Sequence, residues 1–165
     1  MKRFSVYIPA ESYPKEYAVP WFDAGFSVTG AGEKAGGESP PRPDVVFWPE
    51  GENPGEEFWR KADSLCPALI VVLFAGRPVP KLPAGLEDVY SWQVIPGKGV
   101  NFGVASRLEG EFGPPDWDAY QSGDTLTVYD QIKALAGSAY RLLLEELFRE
   151  TREWCGHTFS VLGPA

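Results

Sequence analysis

Short apolar runs alternate with Gly- and Pro-rich stretches over the first two thirds of the chain. The runs are rich in β-branched and aromatic residues, which is typical of strands. They predict five strands, at 3–8, 26–29, 44–48, 68–74 and 89–95. The run 68–74 (ALIVVLF) is the most apolar, so we expect it to be central and buried on both faces.

Helical signals lie between these strands. The segment 13–24 contains apolar and aromatic residues confined by two prolines, which predicts a short helix. Asn53-Pro54 is followed by acidic residues, a pattern typical of a helix start, and predicts a helix that ends near Ser64.

The last third of the chain has a different pattern. Residues 96–123 carry several glycines and prolines and little periodicity, which predicts an irregular insertion. From 126 to 154, apolar residues recur at spacings of three and four, which predicts one helix about 43 Å long. The stretch 158–162 is again strand-like.

Strands that alternate with helical or loop connections predict the α/β class. We expect a five-stranded parallel sheet, doubly wound and flavodoxin-like, with a long C-terminal helix. The corresponding division is an α/β domain at 1–125 and a C-terminal part at 126–165. Functional sites in such folds lie at the carboxyl ends of the strands.

Composition narrows the class of function. The formal net charge of −8 argues against a nucleic-acid surface, and no apolar run approaches the ~18 residues that span a bilayer. A single histidine argues against multi-histidine metal sites and Ser–His catalysis. We expect no metal, no cofactor and no catalytic residue. Cys66 and Cys155 form no C-x-x-C pair, which favours reduced thiols and a cytoplasmic location over a single disulfide.

The order and spacing of the strands resemble a response-regulator receiver domain over residues 3–96. The resemblance is carried by AGFSVTGAGE, RPDVVFWPEGENPG, CPALIVVLFAG and AGLEDVYSW. It implies a phosphorylation site at the carboxyl ends of the strands. In receivers, acidic residues after the first strand hold Mg²⁺ and an aspartate after the third accepts phosphate. A hydroxyl follows the fourth strand, and a lysine follows the fifth.

The matching positions in this chain lack that chemistry. They are Pro9, Ala10 and Glu11 after the first strand, Pro49 and Glu50 after the third, and Phe74 after the fourth. No lysine lies in 92–96. Because an acyl-phosphate requires a carboxylate nucleophile, the resemblance implies a pseudo-receiver, which is a non-catalytic regulatory or protein-interaction domain.

The final segment, TFSVLGPA, resembles the first strand of a P-loop ATPase. Atypical receivers followed by a MinD-like ATPase occur in the pilus-assembly localisation proteins of the tight-adherence type. The chain resembles the amino-terminal half of such a protein. This resemblance implies a role in directing the localisation or assembly of a larger ATPase.

The C-terminal helix is apolar on more than one side, which predicts a protein partner and most simply a homodimer. Exposed aromatic residues in the insertion would also suit a protein contact. The interface candidates are Leu135, Leu142, Leu143, Leu147 and Phe148 on the helix, with Trp117 and Tyr120 in the insertion.

Two other classes of function remain open. A flavodoxin-like small-molecule or nucleotide-binding protein, or an enzyme, would use the strand ends, where Glu11 and Glu50 are candidates for paired carboxylates. An accessory structural protein with a convergent α/β fold is the third class.

Overall fold

The computed structural model describes residues 4–9, 17–30, 43–51, 54–75, 81–108, 112, 127–147, 152–154 and 157–159. The elements in chain order are β1 (Ser5–Ile8), α1 (Val19–Asp23), β2 (Ser27–Gly30), β3 (Val45–Gly51), α2 (Glu56–Ser64), β4 (Leu69–Phe74), β5 (Ser91–Pro96), β6 (Asn101–Ser106), α3 (Val128–Leu147), β7 (Arg152–Trp154) and β8 (His157–Phe159). None of the helices in these ranges is long and apolar enough to cross a membrane.

Six strands form one mixed sheet in the order β2-β1-β3-β4-β6-β5. Strands β1 to β4 run parallel, whereas β6 is antiparallel to both of its neighbours, β4 and β5. The predicted α/β class is confirmed. The predicted five-stranded parallel sheet is wrong, because a sixth strand lies between the fourth and the fifth and runs against them.

That sixth strand falls inside the segment 96–123, which the sequence pattern predicted to be irregular. Its sequence, NFGVAS, contains Gly103, and glycine weakens an isolated strand. A Cβ at Gly103 would overlap the ring of Trp92 on the neighbouring strand. The glycine therefore leaves space for the Trp92 ring in the hairpin. This is a tertiary contact, so local strand propensity does not predict a glycine in this strand.

Helices cover both faces of the sheet, so the core has two parts. Helices α1 and α3 cover one face, and α2 covers the other together with the turns at 82–90. Leu69, Val71 and Leu73 of β4 pack towards α1 and α3 with Val6. Val46 of β3 is also buried but faces α2, because successive side chains of a strand point to opposite faces of the sheet.

Helix α3 is shorter than predicted, with 20 residues in place of the run 126–154. Its start is fixed by a capping box, in which the Asp130 carboxylate accepts hydrogen bonds from the backbone N–H (3.1 Å) and hydroxyl (2.7 Å) of Thr127. The Asp130 N–H donates back to the Thr127 hydroxyl oxygen at 3.1 Å. Beyond the helix, β7 and β8 pair as a separate antiparallel hairpin, and β7 stands in place of the predicted helix end. Strand β8 overlaps the strand predicted at 158–162, of which residues 160–162 lie outside the described residues.

A buried glutamine joins α3 to the hairpin of β5 and β6. The Gln131 amide accepts a hydrogen bond from the Lys98 N–H and donates one to the Lys98 carbonyl, both at 2.8 Å. Gly97 lies against this amide, and a Cβ at that position would overlap the Gln131 oxygen. The Gln131 side chain thus bonds to both the N–H and the carbonyl of one turn residue, as the backbone of a neighbouring strand does in a sheet.

The sulfur of Cys66 takes part in a disulfide bond, so its prediction as a reduced thiol is wrong. A disulfide depends on proximity in the folded chain, which spacing along the sequence does not report. Cys66 follows the C-cap residue Leu65 of α2 and has a left-handed backbone with φ of 51°. The other cysteine of the sequence, Cys155, lies outside the described residues.

Replacing Leu73 by Ala should lower the free energy of unfolding by about 2–5 kcal/mol, because it removes contacts and leaves a cavity in the core. Leu73 is 2% exposed, whereas Val94 on the edge strand β5 is 37% exposed. Val94→Ala is therefore the matched control and should cost less than about 1 kcal/mol. Denaturant unfolding followed by tryptophan fluorescence measures both. Equal losses in the two variants would contradict the central position of β4.

Replacing Gln131 by Leu should destabilise the fold by about 1–3 kcal/mol, because it removes both hydrogen bonds that this buried amide makes to the Lys98 backbone. Lys133→Met, two residues along on an exposed position of the same helix, is the control and should change stability little. Urea unfolding compares the two. A Gln131→Leu variant as stable as wild type would show that the hairpin does not depend on this amide.

Candidate functional site

A cleft of about 320 Å³ opens between the sheet and α2, beside the carboxyl ends of β1 and β3. Strand β2 lies on one side of β1, while β3 and β4 lie on the other, so the order of strands reverses between β1 and β3. In open α/β sheets, ligands bind at such a reversal point. The position of the cleft therefore makes it the candidate site.

The strands supply one wall of the cleft. Tyr7 and Val46 are register partners on β1 and β3, and Trp48 lies two residues further along β3. Because side chains alternate along a strand, all three point to the face that α2 covers. Pro9, directly after β1, completes this wall.

Helix α2 supplies the opposite wall. Phe58, Ala62 and Leu65 recur at helical spacing and line the cleft. Phe58 packs against Trp48 across the cleft, with ring centres 4.8 Å apart, and against Trp59 at 5.3 Å. These tilted and edge-on contacts are favourable for aromatic rings, so they hold both walls at a defined separation.

Two charged side chains stand at the cleft, Glu57 and Lys61, one helical turn apart on α2. The Lys61 ammonium lies 5.9 Å from the centre of the Tyr7 ring, within the range of a cation–π contact. Within the described part of the chain, neither side chain makes a hydrogen bond or an ion pair. The adjacent pair on the same helix differs, since Arg60 contacts the Glu56 carboxylate at 2.7 Å.

The far end of α2 is anchored to the β5–β6 hairpin by a three-residue cluster. The guanidinium of Arg107 donates to the Asp63 carboxylate at 2.9 Å and to the Tyr90 hydroxyl oxygen at 3.0 Å. The Tyr90 hydroxyl also donates to Asp63 at 3.0 Å. Burial raises the pKa of Tyr90, so the hydroxyl keeps its proton as a donor. The cluster fixes α2 at the end away from the strand termini.

The positions that match the receiver phosphorylation site contain no such chemistry where the structure describes them. Pro9 lines the cleft, Pro49 is buried, and Phe74 is 1% exposed in the core. Ala10, Glu11 and the side chain of Glu50 lie outside the described residues, so the paired-carboxylate hypothesis stays a prediction. Among the described side chains, no group of three or more His, Cys, Asp and Glu lies together.

Three of the predicted interface residues on α3 are buried within this chain. Leu135 and Leu143 are 0% exposed and Leu142 is 4% exposed, and all three belong to the core against the sheet. They are therefore inaccessible to a second protein in this fold. The remaining candidates, which are the side chain of Leu147 with Phe148, Trp117 and Tyr120, lie outside the described residues.

The sequence pointed to the strand ends and missed the contribution of α2. The signal was present in the segment EEFWRK, which places two acid–base pairs at a spacing of four residues. How the helix packs decides which of the two pairs lies towards the sheet, and this packing is visible only in the fold.

No family model, no curated protein and no solved structure matches this chain.

Proposed function

We propose that this chain is a non-catalytic regulatory domain that binds a small molecule in the cleft between β1, β3 and α2. The observation that carries the proposal is the position of that cleft, at the reversal point of the strand order, with aromatic walls and two charges that form no ion pair among the described residues. In a pseudo-receiver of this kind, ligand binding takes the place of phosphorylation as the input signal.

Binding accounts for the cleft better than catalysis does. Its described lining is mostly apolar and aromatic, and the lining residues that the structure describes include no cysteine, serine, threonine or histidine. A mostly apolar lining with a few polar groups is typical of ligand sites, and a volume of about 320 Å³ lies near the lower limit of the roughly 300–1,000 Å³ that such sites span. A small ligand is therefore the appropriate occupant.

The exposed surface of helix α3 argues against a helix-mediated homodimer, and we therefore favour the ligand-binding module. Its exposed described positions are Lys133, Gly137, Arg141 and Glu145, which are charged or lack a side chain. Stable protein interfaces have a core depleted in charged residues. The homodimer, the link to a larger ATPase and the cytoplasmic location remain predictions.

A library of small metabolites should contain ligands that raise the melting temperature of the full chain by about 5–10 °C at a hundred-fold excess over Kd. Gly55→Trp should reduce that shift, because Gly55 lines the cleft. The substitution is tolerable, since φ is −80° and no atom lies within 4 Å of an added Cβ.

Gly137→Trp on α3 is the matched control, because a Cβ there also meets nothing within 4 Å. It should fold and leave the ligand-induced shift unchanged. A library without any stabilising compound, or shifts equally reduced in both variants, would argue against a binding site in this cleft.

Acetyl phosphate with Mg²⁺ should leave the chain unmodified, because Pro49 occupies the position of the receiver aspartate and supplies no carboxylate. Intact-mass spectrometry measures the result, with a conventional receiver domain treated in parallel. A stoichiometric phosphate adduct on this chain would contradict a phosphorylation-independent input.

A further inference from the structure

Helix α2 carries two acid–base pairs, each with a spacing of four residues. One pair forms an ion pair and, among the described residues, the other does not. The pair of Glu56 and Arg60 is closed, with an N–O distance of 2.7 Å, and both side chains are largely exposed. The pair of Glu57 and Lys61 lines the cleft and is open, although the same helix geometry brings those side chains within reach of each other. Lys61 is directed instead over the ring of Tyr7.

The open pair constrains the charge of a ligand. An anion would be attracted by Lys61 but repelled by Glu57, and a cation would meet the opposite conflict. A molecule with one positive and one negative group satisfies both side chains at once. Each contact would be a charge-assisted hydrogen bond, which is shorter and stronger than a neutral one.

The walls of the cleft constrain the remainder of the ligand. Tyr7, Trp48 and Phe58 present aromatic surface, and the rings of Trp48 and Phe58 are already held 4.8 Å apart by mutual packing. Flat apolar groups pack favourably on such rings, in offset-stacked or edge-on arrangements. A volume of about 320 Å³ admits one ring system but not a dinucleotide.

We propose that the cleft binds a free aromatic amino acid or a close zwitterionic analogue. Its carboxylate would contact Lys61, its ammonium group would contact Glu57, and its ring would lie against Trp48 and Tyr7. This inference rests on the proposed function, since it names the ligand class of the same cleft.

Isothermal titration calorimetry with three matched probes tests the charge requirement on the full chain. Tryptophan carries both charges, tryptamine lacks the carboxylate, and indole-3-propionate lacks the ammonium group. Tryptophan should bind about ten-fold more tightly than either of the other two, because each of them leaves one side chain of the open pair unsatisfied.

Charge-removing variants assign each contact. Lys61→Gln should weaken tryptophan and indole-3-propionate about ten-fold and should strengthen tryptamine, because it removes the charge that repels the ammonium group. Glu57→Gln should weaken tryptophan and tryptamine about ten-fold and should strengthen indole-3-propionate, because it removes the charge that repels the carboxylate. The matched controls are Arg60→Gln and Glu56→Gln, which remove the same charges from the closed pair and should change none of the three affinities.

The outcomes separate the two proposals. Equal affinities for the three probes, or equal effects of the open-pair and closed-pair variants, would overturn the amino-acid assignment. If the metabolite library yields a ligand that is sensitive to Gly55→Trp while tryptophan fails to bind, the cleft is a ligand site and the zwitterion assignment is wrong. If no compound binds at all, both proposals fail.

Discussion

The burial of β4 on both faces is the constraint on which the rest of the molecule depends. All six of its residues are buried, and its backbone pairs with β3 on one side and β6 on the other. Such a strand requires a covering layer on each face. Helix α2 provides one of them over Ile70 and Val72, and the cleft forms where α2 meets the side chain of Tyr7 on β1.

The strands that carry their own apolar signal were predictable from the sequence, and the pieces that depend on tertiary contacts were not. The run 68–74 contains all of β4, because continuous apolar β-branched residues identify a buried strand locally. Strand β6 was not predicted, because the role of Gly103 is visible only in the fold. There the ring of Trp92 occupies the space that a side chain at position 103 would need. The candidate site was predictable as a set of strand ends. That Lys61 lines the cleft and Arg60 does not can be seen only once the helix is packed on the sheet.

The broad apolar surface of α3 shows why helix amphipathicity alone did not identify a partner. The helix packs on the sheet through residues such as Leu135 and Leu143. It also meets the edge of the core through Tyr140, whose ring lies edge-on to Phe4 at 5.1 Å and to Phe26 at 5.4 Å. A helix that contacts several elements of its own domain needs a wide apolar face. The width of that face therefore shows that the helix is buried, but not whether its own domain or a partner protein covers it.

The anchoring of α2 to the hairpin bears on the proposed ligand site. The contacts among Arg107, Asp63 and Tyr90 hold the helix in place, so Glu57 in its first turn and Lys61 in its last turn keep their positions relative to the sheet. A preformed arrangement lowers the ordering cost that a ligand must overcome on binding. Leaving Glu57 and Lys61 without an ion pair in the described part of the chain costs the helix little, because exposed pairs at this spacing contribute only about 0.3–0.5 kcal/mol. The proposed site would therefore offer two opposite charges to a ligand at a small loss of stability.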